Sequence, residues 1–265
     1  MARIIAVTNQ KGGVGKTTTC VNLCASLAAM KRKVLLVDLD PQGNATMGAG
    51  IDKYECASTV YEVLTKKKPV EEVIVHSESA GFDLIPSNGD VTAAEVELMN
   101  EIGREHRLRL ALNTVRERYE FILIDCPPSL NMLTVNALSS ADSALIPMQC
   151  EYYALEGLAA LMNTIEQIKE TVNPHLDVEG LLRTMYDPRN SLTLDVSAQL
   201  KEYFGDKLYG SVVPRNVRLA EAPSHGLPAL KYDKSSKGSV AYLAVAGELV
   251  RRNRKRKKNR DAIPA

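Results

Sequence analysis

The sequence predicts an α/β chain built on a doubly wound, mostly parallel sheet with helices on both faces. Three observations carry that reading. Strand-like runs alternate with helix-like segments along most of the 265 residues. The strand runs are continuously apolar, as strands buried on both faces are. A glycine-rich turn joins the first strand to the first helix, and right-handed crossovers then place ligands at the carboxyl ends of the strands.

The elements follow in order. "RIIAVTN" (3–9) reads as a buried strand, and "TTTCVNLCASLAAMK" (17–31) as a helix rich in alanine and leucine. "KVLLVDLD" (33–40) is a second strand, "TVYEVLTK" (59–66) a short helix, and "FDLIPS" (82–87) a third strand. Helical patterns cover 91–118. "FILIDCP" (121–127) and "SALIPMQ" (143–149) are strands with a helix between them, and a long helix fits 152–171. "EGLLRTMYD" (179–187) is a strand, 192–204 a helix, "YGSVVPR" (209–215) another strand, and 237–252 the last helix. No internal repeat or Gly/Ser linker divides the chain. The expected division is one domain over 1–250 and a basic, disordered tail over 251–265.

Composition bounds the class. Hydrophobic residues make up 45% and charged residues 25%, which suits a globular protein with a substantial core. No run approaches the roughly 18 apolar residues of a membrane span, and "MARIIAVTNQ" enters a strand without a signal-peptide pattern. The expected compartment is the cytoplasm. Five cysteines, Cys20, Cys24, Cys56, Cys126 and Cys150, contain no C-x-x-C and read as free, mostly buried thiols. Eight basic residues against one acid give 251–265 a charge of +7, which leaves −6 for the rest within the net +1. Such a tail fits either an anionic partner or a solvated, disordered end.

The chemistry gathers in three motifs. "GGVGKT" (12–17) follows a strand and opens a helix, the setting of a phosphate-binding loop of the P-loop NTPase type. Gly12, Gly13, Val14 and Gly15 let backbone N–H groups close on phosphate oxygens, and the helix N-terminus adds its positive end. Lys16 is placed for the β- and γ-phosphates, Thr17 for Mg²⁺, and Thr18 for a further phosphate contact. Lys11 stands where the first glycine of the usual pattern belongs. Asp125, at the end of "FILID", is a second expected Mg²⁺ residue. In "DLDPQGNAT" (38–46) Asp38 is expected deeper and Asp40 nearer the phosphates, where it orients an attacking water and stands near the metal. Pro41 and Gly43 form a turn able to move on hydrolysis. Lys11 projects from the loop mouth. It is either a cation offered to a partner subunit's nucleotide, as an arginine finger is, or a solvated surface lysine.

Together "KGGVGKTT", "DLDPQGNAT" and "IDCPPSL" resemble the deviant-Walker-A ATPases. "QCEYYALEGL" (149–158) and "VPRNVRLAEAPSHG" (213–226) are similar to the ParA/Soj branch, the chromosome and plasmid partition proteins. The resemblance runs from residue 2 to about 250. It implies an ATP- and Mg²⁺-dependent homodimer that hydrolyses ATP slowly unless stimulated. That dimer binds double-stranded DNA without sequence preference and is released by a ParB-like centromere-binding partner, so the expected location is cytoplasmic and nucleoid-associated. Lys11 matches the lysine that crosses the ATP-sandwich dimer, and Gly12 falls at the dimer face. Lys16, Thr17, Thr18, Asp40 and Asp125 match the phosphate, Mg²⁺ and hydrolysis positions. Met185, Pro214 and Asn216 match the adenine pocket, and Arg189 and Arg218 match DNA-binding arginines.

From the residues alone, Arg189 in "YDPRNS" and Arg218 in "PRNVR" read as salt-bridged surface residues. Arg183, Arg215, Lys231, Lys234 and Lys237 are further candidates for a cationic patch. The sequence departs from the family at "YDKSSKG" (232–238), where "YDPRSRG" is frequent, and at Leu227, where a lysine is frequent. The alternative function is a MinD-like, membrane-associated positioning ATPase. That class anchors by an amphipathic C-terminal helix, and the basic end here has no apolar face for a stable membrane anchor. An iron–sulfur carrier lacks its paired cysteines. A purely structural DNA-binding protein conflicts with the complete set of Lys11, Lys16, Thr17, Asp40 and Asp125.

Overall fold

A computed structural model describes residues 1–261 of the chain. In chain order the elements are β1 (Arg3–Val7), α1 (Lys16–Ala29), β2 (Val34–Asp38), α2 (Asn44–Gly48), α3 (Val60–Leu64), β3 (Val75–Ser77) and β4 (Phe82–Ile85). They continue with α4 (Val91–Leu98), α5 (Arg107–Val115), β5 (Phe121–Asp125), α6 (Met132–Ser140) and β6 (Ser143–Gln149). The rest are α7 (Ala154–Thr171), β7 (Asp177–Thr184), α8 (Ser191–Phe204), α9 (Val217–Glu221), α10 (Ala229–Tyr232) and α11 (Lys237–Asp261).

The seven strands form one sheet in the order β3-β4-β2-β5-β1-β6-β7. Every pairing is parallel except β3 with β4. The doubly wound, mostly parallel α/β architecture is the one the sequence predicts. β1 lies between β5 and β6, so the loop at its carboxyl end opens between the two directions in which the sheet is wound.

Strand pleating divides the core. Ile4, Ala6, Leu35, Val37, Ile122 and Ile124 face one side and pack with α3 to α8. Their neighbours Ile5, Val7, Leu36 and Leu123 face the other, against Cys20, Leu23 and Leu27 of α1 and Tyr242, Val245 and Leu249 of α11. This is why the strands read as unbroken apolar runs: both faces are covered. Cys20, Cys24, Cys126 and Cys150 are buried, Cys56 is half-buried, and all five are free thiols.

Four local expectations change. The helical stretch 91–118 is broken between Leu98 and Arg107: α4 ends with Met99 as its cap, and Gly103, at φ +67°, redirects the chain into the turn that leads to α5. β3 was illegible because it has three residues, two of them His76 and Ser77. Residues 209–215 are not a strand. They are tied to β7 by single backbone hydrogen bonds, from the Tyr209 N–H to the Leu181 carbonyl and from the Val213 N–H to the Arg183 carbonyl, both at 2.9 Å, and an isolated bridge joins Pro214 to Tyr186 just beyond the strand. The amides of Gly210 and Ser211 donate to the Glu248 carboxylate at 3.0 and 2.9 Å, and Pro214 has no N–H to give a ladder. Finally, the basic stretch expected to be disordered continues α11 to Asp261. Arg252 explains part of that. It bonds Glu248 and the carbonyls of Asp206 and Leu208, and its guanidinium lies 4.2 Å from the Tyr209 ring centroid. Residues 262–265 of the expected tail lie outside the described residues.

Candidate nucleotide site

The loop between β1 and α1 is held from three sides. Asn9 donates its amide to the Pro147 carbonyl at 2.8 Å and accepts the Lys11 N–H at 3.0 Å. Gln149, at the end of β6, donates to the Gly13 carbonyl at 3.1 Å. Thr184, at the end of β7, donates to the Val14 carbonyl at 2.7 Å. Gly13 and Gly15 have φ of +74° and +87°, a left-handed conformation that side chains resist. A Cβ at Gly12 or Gly13 would meet nothing within 4 Å. The cradle is therefore open where a phosphate would enter.

α1 begins at Gly15 with no side-chain cap, so its first N–H groups are available to an anion. Lys16 is buried and donates its ammonium to the Lys11 carbonyl at 3.3 Å. That contact folds it back over the loop.

Three aspartates converge below. Asp38 and Asp125 end β2 and β5 as register partners, and both are fully buried. Asp38 accepts from the Thr46 N–H and hydroxyl at 2.9 and 2.7 Å and from the Asp40 N–H at 3.1 Å. Asp125 Oδ1 accepts a weak Cys20 thiol contact at 3.5 Å, while Asp125 Oδ2 is buried without a partner. Burial first, and then the neighbouring Asp38, push the Asp125 pKa upward, partly offset by the Thr17 and Cys20 side chains. Burial likewise pushes Asp38 upward against its Thr46 and Asp40 hydrogen bonds. Asp40 is only partly buried and accepts the Gln42 N–H at 3.0 Å. The following turn is tight: a Cβ at Gly43 would lie 2.6 Å from the Ser87 carbonyl.

An orphaned buried carboxylate oxygen beside a threonine hydroxyl is a donor set that fits Mg²⁺. Thr17 and Asp125 are the residues that would hold it, with Asp40 at the edge. The ion would supply positive charge to a polyphosphate at the loop.

The cavity beside the loop is mostly apolar. It has a volume of about 170 Å³ and is lined by Gly15, Thr18, Met185, Pro214, Asn216 and Leu219, among others. The three residues expected around adenine thus share one cavity with the loop. Met185 has φ +48°, strain of the kind that collects at ligand sites. Asn216 caps α9 by accepting the Arg218 N–H. Five wall residues escaped the sequence reading, Thr184, Val213, Leu219, Ala220 and Tyr242, and Tyr242 shares a 3.0 Å hydrogen bond with Thr19.

Lys11 is 47% exposed, but its ammonium is 2.5 Å from the Glu151 carboxylate of the same chain. The structure thus supplies an in-chain partner where the sequence suggested an unpaired projection. Glu151, Gln149 and Thr184 were the functional neighbours the sequence reading did not single out. Gln149 and Glu151 sit within "QCEYY", directly after an apolar strand run, and that placement was the available signal.

The two DNA-candidate arginines are each paired. Arg189 is 88% exposed and bonds Asp187 at 2.7 Å, which holds the Asp187 carboxyl down at about 2. Arg218 is 45% exposed and meets Glu221 at 2.7 Å and Asp233 at 3.4 Å. Arg215, Lys231, Lys234 and Lys237 are exposed. Arg183 is committed to the fold, with bonds to Ser197 and to the Tyr209 carbonyl, and it leaves the list of patch candidates.

Comparison with known proteins agrees with this geometry. A family model described as an AAA domain matches residues 2–178. The chain is 50% identical over 256 residues to the chromosome partitioning protein ParA of Caulobacter vibrioides, covering 96% of each chain. It is 51% identical over 249 residues to the sporulation initiation inhibitor protein Soj of Bacillus subtilis, covering 94% of this chain and 98% of that one. Its fold matches a solved structure titled cobyrinic acid a,c-diamide synthase from Mycobacterium smegmatis, with bound ADP and magnesium, at a TM-score of 0.83 and 36% identity over 95% of each chain. With partition proteins matched across nearly the whole length, and the glycine loop and aspartates of a nucleotide site in place, the chain belongs to the ParA/Soj family of ATPases.

Proposed function

We propose that the protein is an ATP-dependent DNA partition switch. ATP with Mg²⁺ brings two copies together, the dimer holds double-stranded DNA without sequence preference, and partner-stimulated hydrolysis releases it. The observation that carries this reading is the junction of the phosphate loop, the buried Asp125 and the Met185–Pro214–Asn216 cavity at one sheet end. Those are the three parts a nucleotide needs: a phosphate cradle, a metal carboxylate and a base pocket.

Each residue then has a task. The loop amides and Lys16 bind the phosphates. Thr17 and Asp125 hold the metal, whose charge offsets that developing on the transferred phosphoryl. Asp40, partly exposed at the turn before Gly43, orients the attacking water. Lys11 leaves Glu151 and reaches the partner's nucleotide. Arg189 and Arg218 turn from their carboxylates toward DNA phosphates, and pairing two copies doubles the cationic area. A ParB-like centromere-binding protein is the stimulating partner, and a nucleoid-associated location follows.

A membrane-positioning role has less support. No helix among the described residues is long and apolar enough to cross a membrane, and the exposed residues in the last turns of α11 are basic, with no apolar stripe to lie in a bilayer.

The test is binding of a labelled random-sequence DNA duplex at moderate salt with ATP, ADP or no nucleotide. The expected result is tighter binding with ATP than in either other state. Equal affinity in all three states overturns the proposal.

A further inference from the structure

The sequence left the basic C-terminal stretch between an anionic partner and a solvated end, and its structure separates its cations into two sets. Arg252 and Arg256 face inward. Arg252 bonds Glu248 and two carbonyls. Arg256 pairs with Glu179, a fully buried carboxylate that also accepts from Arg3 at 3.1 Å and from the Ser143 hydroxyl at 2.8 Å. Burial alone would raise the Glu179 pKa, but Arg256 and Arg3 more than offset it, so the group is held ionised.

The other set faces outward. Arg251, Arg254, Lys255 and Lys258 are exposed, and none forms an ion pair among the described residues. Their spacing of three, four and seven residues puts all four on one helical face, along about 10 Å of axis. The inward pair fixes that face in place. Arg251 and Lys255 also border an open cleft of about 740 Å³, together with Lys207 and Ser211.

Position separates this ridge from the nucleotide site. Arg3 and Ser143 are the first residues of β1 and β6, and Glu179 is the third of β7. The ridge is therefore anchored at the amino ends of the strands, roughly 20 Å along the sheet from the loop at their carboxyl ends.

We propose that this ridge is a second DNA-binding surface, a preorganised row of cations that holds the phosphate backbone of duplex DNA in any nucleotide state. The charge and its spacing choose the occupant. A duplex presents about six phosphates over about 10 Å of its axis. The four exposed residues are all basic, with no apolar side chain to enter a lipid surface and no aromatic ring to stack on single-stranded bases. The site does not rest on the switch reading, because nothing in it depends on ATP or on a second copy. A protein with both surfaces retains a weak, salt-sensitive hold on DNA after ATP is spent.

The test measures fluorescence anisotropy of a labelled random-sequence duplex against the full-length protein, without nucleotide and with ADP, over a low-salt series. Replacing Arg251, Arg254, Lys255 and Lys258 together by Gln is expected to weaken nucleotide-free binding at least tenfold and to lower the slope of log affinity against log salt by about 3 to 4. The single substitution Arg254→Glu guards against a folding defect, and is expected to lower the slope by about 1 with an unchanged thermal melt. An unchanged slope in the four-site variant overturns the proposal. So does tighter binding to phosphatidylglycerol vesicles than to duplex at equal phosphate, which would assign the ridge to a lipid surface. The switch reading is judged separately, by the ATP-dependent gain in affinity.

Discussion

Lys11→Ala separates stability from catalysis, because the structure assigns the side chain a weak partner. Lys11 and Glu151 are 47% and 49% exposed at 2.5 Å. An ion pair so open to water contributes about 0–1 kcal/mol. In a chain of this size that corresponds to a melting shift of no more than about 4 °C. The main-chain contacts of Lys11, the N–H to Asn9 and the carbonyl to Lys16, survive the alanine. Loss of transition-state charge stabilisation is far larger. A finger-type cation is worth about 10³–10⁵ in rate, and the lower figure is about 4 kcal/mol. The expected outcome is a near-native melt with turnover reduced by about 10³ in a DNA-stimulated phosphate-release assay. Mixing decides whether the lysine acts across an interface. Lys11→Ala keeps Asp40, and Asp40→Asn keeps Lys11, so equimolar inactive variants should regain activity by forming mixed dimers. Recovery would also require specific activity to rise with protein concentration. No recovery on mixing, or a Lys11→Ala rate within threefold of wild type, would refute the reasoning.

Two further perturbations test the supports. Thr184→Val removes the hydroxyl that donates to the buried Val14 carbonyl, which should cost about 1–3 kcal/mol of loop order and weaken ATP binding measured by calorimetry, whereas unchanged affinity would mean that Gln149 suffices. Glu179 has a lowered pKa in the fold, so the stability it contributes is present above the unfolded value of about 4.3 and is lost as pH falls through the folded value. Amide exchange in 252–256 should accelerate on that acid limb, and Glu179→Gln should show the fast exchange already at neutral pH; equal protection in both proteins would sink the clamp.

The parts of the site legible in the sequence are those written in consecutive residues. A strand followed by "GGVGKT", a strand ending at Asp125, and "DLDPQG" each carry their own local geometry, and the structure puts them at one sheet end. The illegible parts are contacts made by topology. Gln149 meets Gly13, and Thr184 meets Val14, across 136 and 170 residues. They meet because β1, β6 and β7 are neighbours in the sheet, and no local pattern announces that. The same reason hid the order in α11. The composition of 251–261 reads as disorder because its charge is nearly all of one sign. Its helix is fastened by Glu179, 77 residues distant from Arg256. The strand expected at 209–215 failed for a related cause. Its apolar pattern was suitable, but Glu248 had taken two of its amides.

The charges of the isolated chain suggest why such a protein would respond to nucleotide. Each cation that the switch reading turns outward already has an internal carboxylate: Lys11 has Glu151, Arg189 has Asp187, and Arg218 has Glu221. These pairs are exposed, so each can be exchanged for a phosphate at little cost. The aspartates are in the opposite condition. Asp38 and Asp125 are buried side by side, Asp125 Oδ2 has no partner, and burial raises both pKa values, with the Asp38 charge adding to the rise at Asp125. Buried negative charge without a counterion is costly, and a dication at Asp125 relieves it. The affinity of the loop for a metal-bound polyphosphate therefore draws on a charge imbalance already present in the fold, while the outward cations give up only weak pairs. That asymmetry lets nucleotide binding fix the centre of the site while leaving its rim free to change partners.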